Sequence, residues 1–101
     1  MTRSLLLLAM LILAGCASPA PGFIGAPRHD ITLDGVDFAV FVKPNEAEVI
    51  RLGYLRRKDR DRIPGLMMQA AAKASGCDAI PHSMVTRIPG DTGEARITLR
   101  C

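Results

Sequence analysis

Tryptophan is missing from the chain, tyrosine occurs once and phenylalanine three times, which leaves few flat side chains to stack along a nucleic acid. Charge of one sign is scarce too. Setting Arg3 aside, twelve basic side chains stand against ten acidic ones, well short of the basic surplus that phosphate backbones call for. No nucleic-acid partner is implied. The longest apolar run, Leu5 to Gly15, is eleven residues, about half of what a helix needs to cross a ~30 Å hydrocarbon core. The chain also lacks a Cys-x-x-Cys pair, a Gly-x-Ser-x-Gly elbow, a phosphate loop and a dinucleotide fingerprint, so no redox centre, acyl-transfer nucleophile or nucleotide cofactor is implied.

What is present begins at the N-terminus. Arg3 precedes the apolar block Leu5 to Leu13, and small residues Ala14 and Gly15 follow it, which is the order of a secretory signal over residues 1–15. The tetrad Leu13-Ala14-Gly15-Cys16 resembles the lipobox of bacterial lipoprotein precursors. That resemblance implies cleavage before Cys16, a diacylglyceryl group on its sulfur and usually acylation of the new amino group. One acyl chain holds a protein to a membrane only marginally, whereas two or three make a stable anchor. The covalent lipid on Cys16 is the only non-protein group expected. By the same resemblance, to proteobacterial sorting, Ala17 after the cysteine, with no Asp there, implies delivery to the outer membrane, facing the periplasm. An ordinary secretory signal that leaves Cys16 as a free thiol is the competing reading.

Residues 16–30 contain Pro19, Pro21, Gly22, Gly25 and Pro27 and read as a flexible linker. Residues 31–101 then form one small domain, close to the size at which a core needs a covalent staple. With Cys16 assigned to lipid, Cys77 and Cys101 remain as an even pair, and exported compartments permit disulfides.

The expected fold class is α+β, a small β-β-α-β-β domain with one helix packed on an antiparallel sheet and a single disulfide. Val36 to Val42 and Ala47 to Leu55 flank Pro44-Asn45-Glu46 and read as a hairpin. Pairing Lys43 with Ala47 puts Val40 opposite Ile50, Phe38 opposite Leu52 and Val36 opposite Tyr54, one apolar face. Pro64 and Gly76 bracket a helix over Gly65 to Ser75, with Met67, Ala70, Ala71 and Ala74 on its inner side. His82 to Ile88 and Glu94 to Arg100 surround Pro89-Gly90-Asp91-Thr92-Gly93 and read as a second hairpin. Pairing Ile88 with Glu94 brings Cys101 opposite Pro81, four residues beyond Cys77, so topology supports the same disulfide. Strand order stays open.

Few residues promise chemistry. Cys77, His82 and Cys101 are metal-ligand types without an evident fourth partner, so no metal site is expected. The run Arg56 to Arg62 reads foremost as a solvated loop. A candidate contact surface consists of Phe41 and Val49 flanked by Arg51, Arg96 and Arg100, cations around exposed apolar area. The expected function is a non-catalytic binding or structural module, tethered to the membrane by Cys16, whose partner is an envelope protein or an anionic envelope polymer. A small envelope enzyme, or an accessory subunit of one, is the alternative. A buried pair of titratable groups in a pocket would favour catalysis; an exposed Phe41-Val49-arginine face would favour contact.

Overall fold

The computed structural model describes residues 18–101; the signal, the lipobox and Cys16 lie outside the described residues. One helix packs on a five-stranded antiparallel sheet, the α+β arrangement expected. The strands are β1 (Arg28–Leu33), β2 (Val36–Lys43), β3 (Glu46–Leu52), β4 (Asp78–Ala79) and β5 (Glu94–Arg100), and the helix α1 (Ile63–Ser75) lies between β3 and β4 in the chain. Their spatial order is β1-β2-β3-β5-β4, so the last strand, β5, takes the free edge of β3 and β4, the short strand after the helix, lies outside it.

Local chemistry explains α1. Pro64 occupies the first turn, where its missing N–H costs nothing, and Gly76 ends the helix at φ 72° with its N–H bonded to the Ala72 carbonyl at 2.9 Å. Only a residue free of a Cβ adopts that left-handed cap cheaply. Ile63, Leu66, Met67, Ala70 and Ala71 are buried, and the small side chains let the helix come close to the sheet. Beneath it lie Val36, Phe38, Val40, Ala47, Val49, Ala95, Ile97 and Leu99. Phe38 is fully buried and by itself accounts for roughly 2 kcal/mol of transfer free energy.

The first hairpin forms, but in a different register. Lys43 pairs with Glu46 across the two-residue loop Pro44-Asn45, which places Val40 opposite Val49 and Phe38 opposite Arg51. β3 is apolar on both parities, Ala47 and Val49 on one side and Ile50 and Leu52 on the other, so side-chain period alone does not choose between them. Tyr54 falls beyond the strand and is exposed.

The presumed linker is largely structured. β1 starts at Arg28 and joins β2 through Asp34-Gly35, both at positive φ, 50° and 76°, the geometry that makes Asp-Gly a hairpin signal. Residues 18–27 then run as a strap across the sheet face opposite α1. A 3-10 turn at Pro21–Phe23 delivers the Phe23 ring onto Ala39 and Phe41, with Ile50 and Leu52 beside them. Lys43 Nζ sits 4.8 Å from the centroid of that ring, a cation–π contact.

The segment His82 to Ile88 is not a strand. Asp78 and Ala79 take the places opposite Arg100 and Leu99, and only Val85 bridges to β5, opposite Arg96. Pro81 has no N–H to give, His82 turns the chain at φ 63°, and the Ser83 hydroxyl accepts the Thr98 N–H at 3.0 Å in place of a ladder bond.

The disulfide between Cys77 and Cys101 is present, with Cα atoms 4.6 Å apart. It ties the end of α1 to the end of β5. Its sequence separation of 24 implies a contribution of about 3.5 kcal/mol from loop closure in the unfolded chain. A Cys77→Ser, Cys101→Ser double variant is therefore expected to unfold at a clearly lower temperature in calorimetry; an unchanged Tm would contradict the assignment of stability to this bond.

Candidate functional site

The site lies on the strap side of the sheet and is built by the observed β2–β3 register. With Phe41 opposite Glu48 and Glu48 opposite Arg96, and Ile50 opposite Glu94, the side chains of Glu48, Ile50, Glu94 and Arg96 share one face. Glu48 and Glu94 are diagonal neighbours there, close enough for long side chains to meet. Glu48 is the one charged residue among the described residues that is fully buried.

The strap closes over this pair. The Ala20 N–H donates to Glu48 Oε1 at 2.8 Å. Glu48 Oε2 and both carboxyl oxygens of Glu94 are shielded from solvent and accept no hydrogen bond from an ordinary donor among the described residues. Arg96 Nε stands 3.6 Å from Glu94 Oε2, an ion pair too long for a hydrogen bond. Two carboxyls so placed satisfy each other only if one keeps its proton, as in other close carboxyl pairs. Burial pushes the Glu48 carboxyl up to about 7, and the adjacent Glu94 carboxyl reinforces this; the Ala20 N–H and the Arg87 guanidinium pull the other way. Glu48 therefore keeps its proton to a higher pH than an exposed carboxyl does.

A cavity of about 280 Å³ opens beside the pair, lined by Ser18, Glu48, Ile50, Arg87, Ile88, Asp91 and Glu94. Its walls come from the strap, β3, the start of β5 and the 87–91 loop. Ile88 is 65% exposed. The loop is pinned by Asp91, whose carboxylate accepts the Gly93 N–H at 2.8 Å, and by Arg51, whose Nε donates to the Thr92 carbonyl at 3.0 Å.

The expected contact surface does not form. Phe41 is buried beneath the strap and Val49 beneath α1, on opposite faces of the sheet. The shifted register separates them: Phe41 faces Glu48, and Val49 faces Val40. Arg51 holds loop carbonyls, Arg96 pairs with Glu94, and Arg100 is exposed at the end of β5. The basic run is an exposed 3-10 turn, Arg57–Arg62, with Arg62 3.5 Å from Asp59 and 3.9 Å from Asp34. His82 is exposed in its turn, and the sulfurs of Cys77 and Cys101 are bonded to each other.

Glu48 and Glu94 were not singled out by their spacing. The signal that could have found them is Asp34-Gly35, which makes β2 a central strand and its second face an interior one. A glutamate in the middle of β3, flanked on that face by Ile50 and facing Phe41, then becomes an anomaly.

A raised carboxyl pKa fixes the sign of a pH dependence. Glu48 binds its proton more tightly folded than unfolded, so its contribution is complete below its ordinary value near 4.5 and is lost as pH rises through about 7. Urea unfolding is expected to show stability falling between pH 5 and pH 8 by an amount on the order of 3 kcal/mol. Glu48→Gln keeps an acceptor for Ala20 and a donor for Glu94, and is expected to flatten the profile; an unchanged slope in that variant would contradict the shared proton. No protein-family model matches the chain, and neither do the curated proteins or the solved structures with which it was compared.

Proposed function

We propose that this protein is a lipid-anchored bacterial envelope lipoprotein, placed at the outer membrane and facing the periplasm, whose small domain is a non-catalytic binding or structural module. The observation that carries the reading is the tetrad Leu13-Ala14-Gly15-Cys16 directly behind an apolar block. Two features agree with it. A disulfide between Cys77 and Cys101 suits an oxidising, exported compartment, and Ala20, four residues past Cys16, is bonded to the folded sheet.

The strap changes how tethering works. A free linker of about fifteen residues would let the domain search a wide volume. With Ala20 bonded to Glu48, only four residue steps separate Cys16 from the folded body, a reach of at most ~14 Å. The module is thus a short-stalked one, presented at the membrane surface.

The buried Glu48–Glu94 pair favours a second reading, a small envelope enzyme or an accessory subunit, because two carboxyls sharing a proton are the raw material of acid/base catalysis. Access argues for the first. Glu48 Oε1 is occupied by the strap and Glu48 Oε2 is shielded from solvent, whereas a general acid must reach its substrate.

Intact-mass analysis of the membrane fraction tests the anchor. The mature chain is expected to begin at Cys16 and to carry diacylglyceryl and amide-linked acyl mass, and Cys16→Ser is expected to leave unprocessed, unacylated precursor. A Cys16→Ser protein that is processed and membrane-bound as before would overturn the reading.

A further inference from the structure

We propose that the strap-bearing face of the sheet, at Ile88 and Arg87, rests on a phospholipid bilayer while α1 faces away from it. The inference rests on acylation of Cys16, as proposed above, and adds an orientation that the lipobox does not contain.

Reach is the first argument. Two residue steps join Cys16 to Ser18, at most ~7 Å of chain, and Ser18 lines the same cavity as Arg87 and Ile88. The acyl chains begin in the bilayer, so that cavity mouth is held at the lipid headgroups. Ala20, fastened to Glu48, limits the chain between anchor and folded body to four residue steps, which keeps this face nearest the bilayer.

Surface chemistry is the second. Ile88 is 65% exposed and Ile24, on the strap, 74% exposed, large apolar side chains that gain by entering the headgroup region. Arg87 supplies a cation beside Ile88 for lipid phosphates, and it lies near enough to the Glu48 carboxyl to stabilise its charge. The outer face of α1 offers no large exposed apolar side chain. Gln69 and Lys73 are exposed on α1, and the helix places them at least one helix diameter, ~10 Å, beyond the sheet.

The absence of tryptophan makes a clean test. Ile88→Trp, Ile24→Trp and Gln69→Trp are made singly in the full chain, and the acylated proteins are reconstituted into phosphatidylethanolamine–phosphatidylglycerol vesicles with brominated acyl chains. Relative to unbrominated vesicles, fluorescence at positions 88 and 24 is expected to fall by roughly half, the depth reached by an interfacial apolar side chain, with no loss at 69. Acyl mass and vesicle flotation are measured on the same samples. Protein that floats but is quenched equally at 69 and 88, or at neither 88 nor 24, overturns the orientation and leaves the anchor standing. Protein without acyl mass overturns both. Should Ile88→Trp fail to fold, position 24 against position 69 decides alone.

Discussion

A single hydrogen bond, from the Ala20 N–H to the buried Glu48 carboxyl, determines how the two halves of this small molecule relate. An antiparallel sheet with a helix on one side ordinarily leaves its other side to water. Here that side carries Ala39, Phe41, Ile50 and Leu52, and the strap is its cover. Phe23 supplies the apolar contact and Ala20 the polar one. Remove the strap and a second apolar core becomes surface, while Glu48 loses the donor that satisfies Oε1. The same contact fixes where the chain enters the domain, so the cover of the second core and the path of the N-terminal strap share one fastening.

The fastening is made at some cost. A carboxyl buried in a domain of this size is expensive unless it is hydrogen-bonded and paired, and the second carboxyl, Glu94, raises that cost. The arrangement tolerates the pair by retaining a proton near neutrality, with Arg87 and Arg96 close by. An apolar residue at position 48 would cover the sheet more cheaply. What it could not do is accept the Ala20 N–H, the polar contact by which the strap is fastened.

Much of the framework was legible in the residues. Pro64 and Gly76 punctuate α1 by backbone chemistry that acts locally, and Cys77 with Cys101 follows from counting once Cys16 is set apart. The hairpin of β2 and β3 was legible as an element but not in its register, since Ala47-Glu48-Val49-Ile50 offers apolar residues to both faces and the choice depends on what covers each face. That choice was made by elements read as something else: residues 18–27, whose prolines and glycines look like tether but here shape a turn, and β1, announced by Asp34-Gly35. The contact surface failed for the same reason, because Phe41 and Val49 share a face only in the register that the covered sheet does not adopt. His82 to Ile88 has strand-like side chains, but Pro81 and the Ser83 hydroxyl divert its backbone. The Glu48–Glu94 site depends on all of these long-range choices, which is why it emerges only when they are made together.

Native-state amide hydrogen exchange at Ala20 and Phe23 tests the fastening most directly. Both amides are donors in the closed strap, Ala20 to Glu48 Oε1 at 2.8 Å and Phe23 to the Ala20 carbonyl at 2.8 Å. The account predicts that both are protected below pH 6, and that Ala20 loses protection in Glu48→Ala while Val40 in the central strand keeps it. Exchange of Ala20 at the rate of an unfolded chain in the native protein, with Val40 still protected, would mean that the strap is a tether after all.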